Sequence, residues 1–188
     1  MSDPCHTHMP CIVACWYPAG RFVSDCLSAC VRVCVCVCVC GSGYMSALAL
    51  GKSKTTHGVE LQAVCTGGTL SDLISQIGTT DISYIYSSWA GQNYWDSLEL
   101  RATMMDHSAM YHIQNATAPT IMFHGIDDPR MPLSQSFQLH YALKQRGIPV
   151  RFVTFPGSGH IPSDPTQIKT VWDESLTWMA KYMPMPSL

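Results

Sequence analysis

Two rhythms of apolar residues alternate along the chain. Short apolar runs bounded by glycine, proline or acidic turns occur at residues 31–39, 59–65, 120–123 and 150–155. Their length and β-branched content suit buried strands. Between and beyond them, apolar residues recur three and four apart, the spacing of a helix with one covered face. Residues 133–146 place Leu133, Phe137, His140 or Tyr141, and Leu143 or Lys144 on one side, with Gly147 and Pro149 as the stop. A second helix is predicted over 98–110, with Arg101, Asp106 and His107 on its polar side. Asp164 and Pro165 provide the N-cap and first position of a last helix. Its Ile168, Val171, Trp172, Leu176 and Met179 form a stripe expected to face a sheet, and Pro184 ends it. A strand joined to the next through a single helix pairs in parallel, and parallel sheets are covered on both faces. The expected class is therefore α/β, a parallel sheet of about four strands in chain order with flanking helices.

Composition narrows this picture. The 188 residues give room for one domain, and 47% hydrophobic with 13% charged residues is a globular balance. A net charge of −2 provides no electrostatic case for nucleic acid or an anionic membrane as partner. No apolar run reaches the about 18 residues that a spanning helix needs. The first residues lack a basic stretch ahead of an apolar one, so no signal peptide is read and a cytoplasmic location is expected. Asn115-Ala116-Thr117 then stands as a chance glycosylation sequon.

All but one of the ten cysteines lie between Cys5 and Cys40. Residues 30–40 read Cys-Val-Arg-Val-Cys-Val-Cys-Val-Cys-Val-Cys, which a repeat of alternating G and T translates to directly, Arg32 needing one base change. Residues 1–40 are thus expected to be an irregular, low-complexity leader, mis-joined to the domain that occupies 41–188. A metal module is the weaker reading, because zinc sites draw their ligands from separate turns and often include histidine. As a strand, residues 31–39 put valine on one face and thiols on the other. No cofactor or metal is expected.

Candidate chemistry gathers at the ends of the third and fourth strands, where open α/β sheets carry their sites. The third runs into His124-Gly125-x-x-Asp128-x-Arg130-x-Pro132, and the fourth into Pro156-Gly157-x-Gly159-His160. Together these motifs resemble the prolyl oligopeptidase family of serine peptidases, most closely its acylaminoacyl-peptidase and dipeptidyl-peptidase branches. The resemblance covers roughly residues 41–183 and implies part of an α/β-hydrolase domain. It implies Asp128 as the acid and His160 as the base, with His124 structural and Asp127 at a variable position.

Residues 41–50, beginning Gly-Ser-Gly-Tyr-Met, are similar to the family's nucleophile elbow, Gly-x-Ser-x-Gly-Gly-Tyr-Met. Anchored on Gly43-Tyr44-Met45, this register puts Ser42 and Gly43 at the paired glycines and Cys40 at the nucleophile. Cys38 then takes the leading glycine. A shift of two restores a serine nucleophile at Ser42 but loses the Gly-Tyr-Met match. Spacing to Asp128 permits either. A cysteine can serve once an adjacent base makes it a thiolate, as in the similar dienelactone-hydrolase branch with its Cys-His-Asp set.

Hydrolysis of short peptides by acyl transfer is what the resemblance implies, with a short peptide or acyl compound as substrate. The chain itself is expected to be inactive or impaired, as a C-terminal portion without the family's upstream oxyanion donor. A non-catalytic fragment or interaction module, and an esterase-type hydrolase, remain alternatives. Tyr84, Tyr86, Trp89, Tyr94 and Trp95 are read as core packing under a long excursion rather than as a substrate platform. His6, His8, His57, His107, His112 and His140 are read as surface or packing residues.

Overall fold

The computed structural model describes residues 33–35 and 41–183. Four parallel strands stand in chain order, β1 (Val33–Val35), β2 (Leu61–Gly67), β3 (Thr120–Gly125) and β4 (Val150–Phe155). This is the expected topology. Of the apolar run 31–39, only Val33–Val35 falls within the described strand, and its neighbours lie outside the described residues. β2 starts and ends two residues later than its apolar pattern suggests, and β3 runs on through His124 to Gly125.

The helices are α1 (Gly41–His57), α2 (Leu73–Ile77), α3 (Tyr84–Ala90), α4 (Leu98–Asp106), α5 (Leu133–Gln145) and α6 (Pro165–Tyr182). Strand alternation divides β3 between two cores. Met122 joins Val64, Ala47, Leu50, Leu139 and Leu143 on the side covered by α1 and α5. Ile121 and Phe123 join Ala63, Cys65, Phe155 and Trp178 on the side covered by α6. With both faces covered, every residue of β3 is buried.

Between β2 and β3 the chain makes a long excursion through α2, α3 and α4. Asp72 caps α2 by accepting from the Ile74 and Ser75 amides, and Ser97 caps α4 through the Leu100 amide. The helix predicted over 98–110 stops at Asp106, and a 3₁₀ helix, Ala109–Asn115, takes over. Ile77, Tyr86, Tyr94, Leu100 and Met104 form a third, smaller core there. The aromatic group divides: Tyr86 and Tyr94 pack inside, whereas Tyr84, Trp89 and Trp95 are exposed.

Two helix faces differ from the predicted ones. α5 buries Gln135, Ser136, Leu139 and Leu143, leaving Phe137 and Tyr141 largely exposed. α6 buries Ser175 and Trp178, while Ile168, Trp172 and Leu176 face outward. In both, a polar residue occupies a covered position, which a count of apolar spacing assigns to solvent.

Two close approaches fix the ends of the sheet. A Cβ on Gly43 in the first turn of α1 would meet the carbonyl oxygens of Gly67 and Gly68, the latter at 2.7 Å. One on Gly125 would meet the backbone of Ser158 and Gly159. Backbone cannot swing aside as a side chain can, so both positions require glycine. Gly125 thereby lets the loops after β3 and β4 touch, tied by Ile126 N–H to Phe155 O at 3.0 Å and Asp127 N–H to Ser158 O at 3.0 Å.

Candidate active site

The contact between these two loops brings Asp128 and His160 together. His160 Nδ1 lies 2.8 Å from Asp128 Oδ2. The other carboxylate oxygen, Oδ1, accepts from the amides of Arg130 at 2.9 Å and Met131 at 3.0 Å. With Asp128 buried, a carboxylate held by two N–H groups and an imidazole is a satisfied anion. Since the carboxylate can only accept, Nδ1 of His160 carries a proton, and in the neutral imidazole Nε2 then presents its lone pair. Nε2 is itself buried and has no partner among the described residues.

His124 lies on the far side of Asp128, wholly enclosed, with Nε2 3.6 Å from Asp128 Oδ2. That nitrogen is 2.7 Å from Met131 O, and Nδ1 is 2.6 Å from Ser136 Oγ. Burial holds the His124 pKa below its ordinary value of 6.5, against the opposing effects of the Met131 carbonyl and the Asp128 charge. Nothing here contradicts the structural part that the motif assigns to it.

The excursion grips the acid loop from outside. Arg130 forms a two-pronged pair with Asp81, Nε to Oδ1 at 2.8 Å and Nη2 to Oδ2 at 3.2 Å. The hydrogen bond from Arg130 lowers the Asp81 pKa. Arg130 O in turn accepts from Gln76 Nε2 at 2.6 Å and Thr80 Oγ1 at 2.8 Å. Gln135 joins α5 to the same excursion, its Oε1 accepting from the Ser71 amide at 3.1 Å and the Asp72 amide at 2.9 Å. None of Gln76, Asp81, Gln135 or Ser136 was singled out from sequence. Gln76 and Asp81 sit far along the chain from the loop they support. Gln135 and Ser136 follow that loop closely but bond to Ser71, Asp72 and His124, and no motif marks any of the four.

Cys40 lies outside the described residues. Ser42 belongs to the first turn of α1, and its side chain is likewise outside what is described. Gly43 bears on the choice between them. It packs against the backbone of Gly67 and Gly68, and the register anchored on it is the one that would put the nucleophile at Cys40. Among the described residues no group of histidine, cysteine and carboxylate side chains is arranged to hold a metal, and no helix is long and apolar enough to cross a membrane.

A sequence profile of the prolyl oligopeptidase family matches residues 39–185. The chain is 30% identical over 118 residues to the uncharacterized peptidase YuxL of Bacillus subtilis, covering 63% of this chain and 17% of that one. It is 25% identical over 149 residues to the acylamino-acid-releasing enzyme of Mus musculus, covering 75% of this chain and 19% of that one. The chain therefore spans less than a fifth of the length of these relatives. Among solved structures, the acylaminoacyl peptidase of Pyrococcus horikoshii superposes with a TM-score of 0.68 at 19% identity, over 83% of this chain and 24% of that one. A puromycin-hydrolyzing peptidase of Mycobacterium tuberculosis gives 0.69 at 17% identity, over 82% and 22%. At these identities the likeness is one of fold.

Proposed function

The chain belongs to the prolyl oligopeptidase family, and from that premise we propose that Asp128 and His160 are the acid and base of a peptide-hydrolysing acyl-transfer site whose nucleophile position holds Cys40. The observation that carries this reading is the 2.8 Å bond from His160 Nδ1 to Asp128, with Nε2 left free of partners among the described residues. In that arrangement Asp128 holds the imidazole tautomer and stabilises the imidazolium. Nε2 takes the nucleophile's proton as the nucleophile attacks the peptide carbonyl carbon, then gives it to the departing amine. Water, deprotonated by the same nitrogen, releases the acyl group as a carboxylic acid.

Cys40 directly precedes Gly41, the first residue of α1, in sequence. A helix N-terminus favours a thiolate there. Against efficient turnover, Cys38 and Ser42 stand in the sequence where the resembled motif has glycine, the residue without a Cβ. The proposal is accordingly an impaired hydrolase with short peptides or related acyl compounds as substrates. Two probes test it. A fluorophosphonate should leave Ser42 unlabelled, and peptide anilides should be hydrolysed slowly or not at all. Stoichiometric, His160-dependent labelling of Ser42 would overturn the register. Alkylation of Cys40 that slows in Asp128→Ala and His160→Ala would support the thiol as the group that His160 serves.

A further inference from the structure

His124 is a second imidazole beside Asp128 that the proposed hydrolysis does not use. Burial favours its neutral form, in which it carries one ring proton. A carbonyl oxygen only accepts, so the 2.7 Å contact with Met131 O places that proton on Nε2. Nδ1 is then an acceptor, and the Ser136 hydroxyl, itself enclosed, donates to it at 2.6 Å.

Residue 131 is thus held at both ends. Its carbonyl receives the His124 proton, while its amide donates to Asp128 Oδ1 at 3.0 Å. Pro132 follows, which restricts Met131 to extended backbone and removes any competing amide on that side. Among the described residues, the charged or titratable groups around His124 are Asp128 on the loop after β3 and His160 on the loop after β4. A protonated His124 would set a cation 3.6 Å from Asp128 Oδ2, the oxygen that His160 uses.

We infer that His124 is a positioning residue for Asp128: its Nε2 proton, held on the Met131 carbonyl, keeps the Arg130 and Met131 amides on Oδ1 and so leaves Oδ2 to His160. This rests on the acid–base reading above. Ser136 fixes the ring from behind without lying on that route.

Nitrogen-resolved NMR of the full chain tests the inference without requiring turnover. The unmodified protein should show His124 as the Nε2–H tautomer, with a pKa below the ordinary imidazole value, and a far-downfield proton from His160 Nδ1. In His124→Leu that downfield signal should be lost to exchange. His124→Gln, which can again present a donor toward Met131 O, should restore it, and Ser136→Ala should leave it in place. A folded His124→Leu protein that keeps the signal overturns the positioning role alone. An unmodified chain in which His124 is the Nδ1–H tautomer, or is protonated, overturns it even if no variant folds. Absence of the His160 signal with His124 correctly protonated instead overturns the acid–base reading and this inference with it.

Discussion

Asp128 holds three polar groups in one place, and its two oxygens have different tasks. Replacing it with alanine strands the Arg130 and Met131 amides and the His160 N–H away from any acceptor. Unpaired buried donors cost about 1–3 kcal/mol each at most, less where water enters. Asp128→Ala should therefore lower the denaturant midpoint measurably. Asp128→Asn can still accept at Oδ1 but turns a donor toward His160, so stability should fall less while the His160 tautomer inverts. Equal stability losses in the two variants would contradict this division of labour. His124 adds a pH dependence. Its native pKa lies below the ordinary 6.5, so between those values the unfolded chain binds more protons than the native one. Stability contributed by keeping it neutral is complete above 6.5 and is lost as pH falls toward the native value. Burial lowers His140 in the same direction. Denaturant midpoints should accordingly rise with pH up to 6.5, and more gently in His124→Gln. A slope unchanged by that substitution would show that His124 is not the group responsible.

At the scale of elements, glycine supplies a sharp contrast. Gly43→Ala drives a Cβ into two backbone carbonyls, whereas Gly78, at φ −86° after α2, has nothing within 4 Å of an added Cβ. The first should cost about 1–3 kcal/mol as an overpacked contact. The second should stabilise by about 0.4–1 kcal/mol through the unfolded chain. Thermal unfolding of the two variants checks both signs, and a tolerated Gly43→Ala would remove the support that this glycine lends to the elbow register. The strands, their order and the caps at Asp72 and Asp164 follow local rules, and Asp164 is the cap that the following proline makes plain in the sequence. That is why the sheet was legible. That Asp128 and His160 meet was legible because a loop motif fixes each to the end of a neighbouring strand. The inner faces of α5 and α6 were not, since Gln135, Ser136 and Ser175 are covered polar residues and Phe137, Trp172 and Leu176 are uncovered apolar ones. Gln135 and Ser136 owe their burial to Ser71, Asp72 and His124, partners that periodicity cannot reveal.

Across the whole molecule, the sheet reaches into the segment that composition sets apart. β1 pairs in parallel with β2, Val33 opposite Leu61, Cys34 opposite Ala63 and Val35 opposite Val64. Those three β2 residues belong to the two main cores. We propose that residues 1–30 are dispensable to the domain while the strand that follows them is not. A chain beginning at residue 31 should then unfold at the same temperature as the full one. A chain beginning at residue 41 leaves the backbone of β2 without its neighbour, and an unpaired apolar edge recruits other chains. It should show a lowered transition and concentration-dependent association in light scattering, with Leu61, Ala63 and Val64 at the contact. The comparison separates two origins of instability, since removing the cysteines from a chain that keeps β1 changes thiol chemistry without changing the edge. Cys5, Cys11, Cys15, Cys26 and Cys30 all leave with the first truncation. If that truncation already unfolds the domain, the boundary lies earlier than proposed. If the second remains monomeric and equally stable, β1 contributes nothing and the sheet stands on β2, β3 and β4 alone.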